Sequence, residues 1–400
     1  VGRFSTGYSD NLMSQFRQWW QVNVDIKQQE ETYKRTGLNY TWNGASHDTP
    51  LTPIYWDNPY WTRYENFNSD TRDRMLSKFG FSYKLTDWLT ANGRISLDHY
   101  TEIREERRAV GSIAAEFGVN LTDEPSGYAR TDIESHEWNY NGMLNFNKQL
   151  NDDLNLAGLV GFNLQKERYE NTFASTSGGL AVPGLYALSN SVSTNPFPVE
   201  TLWEKEIYSY FANVNVGYRD FLYLDANYRM DISSALPVAN NQYDYYGVGL
   251  GFVFSELVDV SWMDFGKVRA SIGQVGNDTR ALRVNDTYAR VDNFGSTVMT
   301  TVRSTKNNSN LKPEITTETE VGLEGSFLDR RVNVDFAWYN RETTDQLMPV
   351  EVSRATGYSS TFVNVGTVQN KGIELVLSGD VVRTDAFKYN LAVNFTRNRN

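Results

Sequence analysis

The feature that most constrains the fold is a two-residue alternation of apolar and polar side chains, repeated in pairs of segments around short polar turns. In the first pair, the apolar positions before the turn are Phe79, Phe81, Tyr83 and Leu85. The alternation resumes at Leu89 after the turn TDW. Because successive side chains of a β-strand point to opposite faces, each segment predicts a strand with one apolar and one polar face. About six such hairpins, or roughly twelve strands, follow one another along the chain.

The lengths of these segments and of their links favour a barrel that crosses an outer membrane. Most predicted strands have about ten residues, close to the 9–11 of a tilted membrane strand. Links within hairpins are short, whereas those between hairpins are long and cover residues 101–138, 166–206, 274–316 and 341–370. Short periplasmic turns and long extracellular loops are typical of outer-membrane barrels. The predicted fold class is therefore all-β, a transmembrane antiparallel β-barrel in a lipid bilayer.

Composition narrows the function classes. Hydrophobic residues make up 40% of the chain, and no run approaches the roughly 18 apolar residues of a membrane helix. Aromatic residues reach 14%, which suits rings placed between apolar and wet regions. The net charge of -11 makes a nucleic acid an unsuitable partner. Because cysteine is absent, disulfides and thiolate metal sites are excluded.

The polar faces of the predicted strands carry charges of both signs. They include Lys84, Arg94, Asn145, Asn213, Asn215, Asp225, Asn227, Arg229, Lys267, Arg269, Glu318, Glu320, Asp335 and Glu374. These side chains either line a lumen or form the solvated face of an open sheet. The repeated hairpins favour the lumen.

The first 40 residues predict helix instead. Apolar residues fall near helical spacing at Leu12, Phe16, Trp19, Trp20 and Ile26. The following KQQEETYKR has a helix-forming composition, so we expect an amphipathic helix within an extracellular loop. A second, shorter helix is expected over residues 105–118.

No motif predicts an enzyme or a cofactor. The three histidines, His47, His99 and His136, are far apart in sequence and lack a zinc-ligand spacing. The glycines of GVGLGF, residues 247–252, are better explained by a strand with small residues on one face than by a dinucleotide loop. Nothing singles out a carboxylate pair for glycoside hydrolysis. The acidic stretch LTDEP, residues 121–125, could hold calcium, although a solvated loop is favoured.

One aromatic-rich stretch, IYWDNPYWTRYENFNSD, offers a candidate binding surface. Its rings are Tyr55, Trp56, Tyr60, Trp61 and Tyr64. They could stack on sugars, or they could pack this loop against another part of the protein.

Several segments together resemble one family, the SusC/RagA-like TonB-dependent outer-membrane transporters. The segment NSNLKPEITTETEVGLEG resembles the family signature, with Asn308, Leu311, Lys312, Glu314, Thr316, Gly322 and Leu323 at the matching positions. Pro313 stands where many members have tryptophan. A second block matches at Thr356, Gly357, Asn364, Gly366, Asn370, Lys371, Gly372 and Glu374. Other family segments resemble three further stretches of this chain: FRQWWQVNVDIKQQ, the aromatic-rich stretch and KVRASIGQVGN. The matching segments follow one another in the family's order. The resemblance implies that family members with different substrates share the aromatic-rich stretch, so a structural role for its rings is favoured.

The resemblance implies a 22-stranded barrel, a plug and two sets of partners. The partners are a SusD-like surface lipoprotein that forms a lid and the TonB–ExbB–ExbD complex, contacted through an N-terminal region. In this interpretation residues 1–400 are part of a single barrel domain, with a loop and helical segment over 1–70 and the strands over 71–400. The plug would lie outside this chain, and the chain alone would not form a stable barrel.

The implied function is TonB-dependent import of a bulky nutrient across the bacterial outer membrane, without covalent chemistry. An oligosaccharide is the first choice of substrate and a peptide the second. The alternatives are a surface glycan-binding or adhesion β-protein without transport and a β-rich polysaccharide hydrolase.

Overall fold

The computed structural model of the chain describes residues 2–4, 11–14, 20–46, 48–49, 52–258 and 260–400. The predictions that involve Phe16, Trp19 and His47 fall outside these residues.

Among the described residues, three helices precede the long strands: α1 (Leu12–Ser14), α2 (Ile26–Thr36) and α3 (Pro59–Glu65). Helix α2 contains KQQEETYKR, so the predicted helix is confirmed there, whereas Trp20 lies outside the described helices. The location of α2 in an extracellular loop stays a prediction. The Asp25 side chain caps its N-terminus by accepting from the Lys27 backbone N–H at 2.8 Å. Gly37, with φ of +64°, ends it in the left-handed conformation that glycine adopts most readily. None of the described helices is long and apolar enough to span a membrane.

Twenty strands are described. The first ten are β1 (Gly2–Phe4), β2 (Phe67–Lys84), β3 (Leu89–Arg108), β4 (Ala115–Phe117), β5 (Thr122–Glu124), β6 (Gly127–Asn151), β7 (Leu154–Ser175), β8 (Val199–Tyr218), β9 (Leu222–Ser233) and β10 (Gln242–Val253). The others are β11 (Met263–Asn277), β12 (Tyr288–Phe294), β13 (Thr297–Val302), β14 (Thr305–Lys306), β15 (Glu314–Phe327), β16 (Val332–Thr344), β17 (Leu347–Glu351), β18 (Ser360–Asn364), β19 (Thr367–Arg383) and β20 (Lys388–Arg399).

The long strands form one hydrogen-bonded sheet in the order β1-β2-β3-β6-β7-β8-β9-β10-β11-β15-β16-β19-β20. The twelve strands from β2 to β20 in this order match the predicted hairpins, and β1 adds a short thirteenth. The links between hairpins carry small sheets of their own, β4–β5, β12–β13 and β14–β18–β17.

Two predictions about the links were wrong. Residues 105–118 are not helical: residues 105–108 complete β3, and 115–117 form β4. The strands also extend far into the predicted loops, since β6 begins at Gly127 and β7 ends at Ser175. The cause is continued strand pairing, which offers backbone hydrogen bonds even where side chains no longer alternate between apolar and polar.

The apolar faces of the strands find no cover within the described chain. Phe79 on β2 is 71% exposed, and Phe395 on β20 is 49% exposed. Apolar side chains that are exposed along a whole strand face mark a surface in contact with lipid or with another protein.

The chain forms two compact units. The first comprises residues 1–77, 97–137 and 167–203, as far as they are described, and contains the helices and the ends of several strands. The second comprises residues 78–96, 138–166 and 204–400 and contains β9 to β20.

Candidate functional site

A groove of about 760 Å³ lies on the polar face of the sheet in the second unit. It runs over β9, β10, β11, β15, β16 and β19, and its polar lining includes Asp225, Asn227, Gln274, Glu318, Arg341 and Asn370. Three of these, Asp225, Asn227 and Glu318, were predicted to face the lumen.

Glycines create much of this space. Gly249 on β10 and Gly273 on β11 line the groove. A Cβ at Gly249 would lie 3.8 Å from the Ser271 side chain, and a Cβ at Gly273 would have no atom within 4 Å. The prediction that GVGLGF is a strand with one face of small residues is confirmed, because these residues belong to β10.

The polar face next to the groove is held together by ion pairs. The Arg269 guanidinium contacts carboxylate oxygens of Glu320, Glu324 and Asp335 at 3.0, 2.7 and 3.1 Å. Arg341 forms an ion pair with Glu318 at the groove itself. Because opposite charges are matched on neighbouring strands, this face is polar without a large field of one sign.

Four of the ten family-signature residues come together with Leu347 at one end of β15 and β19, in a cluster we call the signature clasp. It consists of Leu311, Lys312, Glu314, Leu347 and Asn364. The Asn364 amide accepts from the Lys312 backbone N–H and donates to the Lys312 carbonyl, both at 2.8 Å. Glu314 accepts from the Leu347 backbone N–H at 2.5 Å. The clasp therefore fastens the β17–β18 link to the start of β15.

Leu311 anchors the clasp by burial. Its side chain is completely buried in a cluster with Leu236 and Tyr243, against which Leu347 and Phe362 pack. Burying a leucine in this way stabilises the structure by about 1.5–3 kcal/mol.

The remaining signature residues shape the backbone or the polar face. Gly366 has φ of +88°, a conformation that favours glycine. A Cβ at Gly322 would lie 2.5 Å from Arg269 Cζ, and a Cβ at Gly372 would lie 2.4 Å from the Tyr339 hydroxyl.

The other three lie in β19. Asn370 lines the groove, whereas Lys371 and Glu374 are paired across the ladder with Asn340 and Ala337. The functional roles of all ten signature residues stay predictions.

The aromatic-rich stretch divides into buried and exposed rings. Trp56 and Trp61 are only 6% and 8% exposed, and Trp61 Nε1 donates to Ser112 Oγ at 2.9 Å. Tyr55 is 70% exposed, and Tyr64 stacks on Tyr33 with ring centroids 5.8 Å apart. Tyr60 is half-buried. The tryptophan faces are thus occupied by the protein itself, and sugar contact by the tyrosines stays a prediction.

Sequence reasoning missed a buried amide network beneath these rings. The Asn58 side chain donates to the carbonyls of Gln29 and Tyr40 at 3.0 and 2.8 Å. The Asn39 side chain accepts from the Asn58 N–H at 2.8 Å and donates to Asp57 at 2.7 Å. The asparagine before a proline in WDNPYW, a common helix start, was the available signal.

The contact between α2 and α3 raises the pKa of Tyr33. The Tyr33 hydroxyl donates to Glu65 Oε1 at 2.6 Å. Burial raises the pKa of Tyr33 well above its usual value, and the hydrogen bond to the Glu65 carboxylate raises the pKa further.

Two predicted metal features have different outcomes. Residues 121–125 contain β5, in which the Thr122 hydroxyl donates to Glu124 at 3.0 Å, and calcium binding there stays a prediction. The histidines are far apart in sequence and their spacing predicts no zinc site, yet the fold places His99 on β3 beside His136 on β6, with ring centroids 6.3 Å apart.

Comparison with known proteins gives the family. Residues 20–400 match the family model described as TonB dependent receptor-like, beta-barrel. The chain belongs to this family. Membership confirms the predicted all-β barrel and places the chain in a bacterial outer membrane.

Individual relatives agree with the predicted SusC/RagA resemblance. TonB-dependent receptor P26 of Formosa agariphila is 26% identical over 94% of this chain and 41% of that protein. TonB-dependent receptor SusC of Bacteroides thetaiotaomicron is 30% identical over 48% of this chain and 20% of that protein. The structure of the RagAB peptide transporter has the same fold, with a TM-score of 0.77 at 18% identity, over 86% of this chain and 38% of that one. The chain thus spans about two-fifths of the length of receptor P26.

Proposed function

We propose that this chain serves TonB-dependent import of a bulky nutrient across the outer membrane. The observation that carries the proposal is the polar groove of about 760 Å³ in a barrel of the TonB-dependent receptor family. The two faces of its strands suit the task, because the apolar face can meet lipid while the polar face contacts a hydrated solute.

An oligosaccharide is the proposed substrate ahead of a peptide. Among the polar side chains that line the groove, the uncharged ones outnumber the charged ones: Asn227, Ser271, Gln274, Thr316, Thr343, Gln346 and Asn370. Arg341, the guanidinium of the groove, is already paired with Glu318. Neutral donors and acceptors in these positions suit hydroxyl groups better than peptide termini. A peptide stays the second candidate, because the RagAB neighbour is named a peptide transporter.

We also propose the partners that such import requires. A SusD-like lipoprotein would cover the substrate from outside, and TonB with ExbB and ExbD would supply energy from the inner membrane. The similarity to SusC and to the two-component RagAB assembly supports the first partner, and the family description supports the second.

A deletion strain tests the proposal. Removal of the gene should abolish growth on one class of oligosaccharide, and the wild-type gene should restore it. Uptake of the labelled sugar should stop when a protonophore collapses the inner-membrane gradient. If the deletion strain fails to grow on peptides alone, the substrate is a peptide and not an oligosaccharide. Unchanged growth on both classes would contradict import.

The alternative is a surface glycan-binding or adhesion protein. The exposed rings of Tyr55 and Tyr64 favour it, since aromatic faces open to solvent can stack on sugars. The protonophore separates the two functions. Surface binding alone would continue without the gradient, whereas import would not.

A further inference from the structure

We propose that His99, Glu134 and His136 form a binding site for one divalent transition-metal ion of the zinc class. Each residue offers one ligand atom, and these atoms all lie within 4.8 Å of one another. Elsewhere among the described residues, no other three histidine or acidic side chains come together in this way. The proposal is independent of the nutrient that the protein imports.

The strand geometry explains why these side chains converge. Glu134 and His136 are two residues apart on β6, so they project from the same face. His99 projects from the neighbouring strand β3. Two ligands on one strand and a third on its neighbour make a three-point site on a rigid part of the fold, where little ordering is needed to bind an ion.

The ligand set selects the ion. Two imidazoles and one carboxylate suit Zn²⁺ and related transition metals, whereas Ca²⁺ and Mg²⁺ prefer oxygen ligands throughout. Metal–ligand bonds are about 2.0–2.2 Å, so the ligand atoms of a zinc site are separated by about 3–4 Å. Side-chain rotations alone would close the present spacing of up to 4.8 Å. Three protein ligands would leave a position for water.

The electrostatics favour a cation at this place. No hydrogen bond or ion pair to the side chains of these three residues is found within the described part of the chain. An adjoining groove of about 570 Å³ is lined by Glu134 and Glu200, for which no ion pair is found in the described part of the chain, whereas its other carboxylates, Glu102, Asp132 and Glu170, are paired with arginines. A free carboxylate beside two imidazoles disfavours an anion such as phosphate and attracts a metal ion.

The site lies on the apolar face of β3 and β6, beyond the membrane-facing part of the strands. His136 comes two residues before Trp138, whose ring stacks on Tyr140 with centroids 6.0 Å apart. Tryptophan and tyrosine mark the boundary between lipid and water, so His136 lies about 7 Å further along the strand, on the aqueous side. An ion here would tie β3 to its neighbour β6 within the strands themselves.

Metal binding by the full-length receptor in detergent, purified with a tag that lacks histidines, tests the proposal. The proteins are equilibrated with Zn²⁺, and free ion is removed. Elemental analysis should then find one more zinc ion per protein molecule in the wild type than in the His99→Gln/His136→Gln double variant. Glu134→Gln should weaken this binding by more than about tenfold, because removing even an outer-shell group costs about 10–100-fold. Asp132→Asn is the matched control: it removes a charge from the same strand face, but Asp132 already pairs with Arg130 at 2.7 Å.

Two further measurements separate this site from adventitious binding. Co²⁺ in the wild type should give the intense visible absorption of a low-coordinate ion, and this absorption should be absent from the double variant. Zn²⁺ should slow hydrogen exchange in residues 97–108 and 127–137 of the wild type and of Asp132→Asn, but not of the double variant. Three results would each overturn the proposal. The wild type and the double variant could hold the same amount of zinc, Asp132→Asn could lose as much zinc as the double variant, or the wild type could bind Ca²⁺ as well as Zn²⁺. A band that shifts on heating in SDS gels verifies that each variant is folded.

Discussion

Asn364 and Lys312 are joined by two hydrogen bonds of 2.8 Å, in which the asparagine amide both accepts from and donates to the lysine backbone. The same amide nitrogen also donates to the Asp345 carbonyl at 2.9 Å. One side chain thus satisfies three backbone groups from two separate segments of the chain. An asparagine side chain both accepts and donates hydrogen bonds, which explains why asparagine stands in the second signature block.

Asn364→Ala should destabilise the signature clasp by about 1–3 kcal/mol, because its backbone partners lose their hydrogen bonds. The midpoint of urea-induced unfolding of the receptor in detergent measures the effect. Asn310→Ala is the matched control, since the Asn310 side chain is exposed and makes no hydrogen bond among the described residues. Equal midpoints for the two variants would contradict the role of Asn364.

Trp61→Ala should lower the yield of folded protein in the membrane without changing which substrate is taken up. The indole is buried and donates to Ser112, so its loss should cost about 3–5 kcal/mol through the cavity that it leaves. Tyr55→Ala is the control, because that ring is exposed. If the yield of folded Trp61→Ala is unchanged and only the uptake of one sugar falls, Trp61 contacts the substrate instead.

Gly322→Ala should displace the Arg269 guanidinium, because the added Cβ would lie 2.5 Å from Arg269 Cζ. We expect a loss of about 1–3 kcal/mol, typical of overpacking. In the Arg269→Ala background the same change should cost less, with a coupling above about 0.5 kcal/mol in a double-mutant cycle. Gly273→Ala, which meets no atom within 4 Å, should be close to neutral. Strict additivity in the cycle would show that Gly322 is needed for another reason.

Gly273→Trp should fill the groove and reduce nutrient uptake while the protein still folds. The open space around Gly273 accepts a side chain without a backbone clash, and the strand conformation suits an aromatic residue. Initial uptake rates in cells with matched surface levels measure the effect, and Gly273→Ala provides the reference. Unchanged uptake in the tryptophan variant would place the groove outside the substrate path.

The Tyr33 contact should give the pairing of α2 with α3 a dependence on alkaline pH. Its pKa is raised in the folded protein, so its contribution to stability is complete below the unfolded value of about 10 and is lost as pH rises above that value. Proteolysis of this segment should therefore increase above about pH 10 in the wild type. In Tyr33→Phe it should already be faster at neutral pH, with a smaller further increase. Identical pH profiles for the two proteins would contradict this contribution.

The sequence by itself determined which residues form the membrane strands and which face each side chain takes. Phe79 and Phe81 are exposed on one face, and Asp225 and Glu318 line the polar groove, as their positions predict. This information is local, because side chains alternate along any strand whatever its partners are. The helix over KQQEETYKR was predictable for a similar reason, since composition and capping act within a few residues.

Only the tertiary structure decided how far the strands extend and which distant residues meet. The helix expected over residues 105–118 is replaced by strand pairing, because a neighbouring strand supplies hydrogen bonds that composition does not reveal. His99 meets His136, and Asn364 meets Lys312, because sheet order and loop packing bring separate segments together. Burial likewise separated Trp61 from Tyr55, which stand six residues apart in one aromatic-rich stretch. Such contacts depend on pairing across long sequence separations, which a local pattern cannot encode.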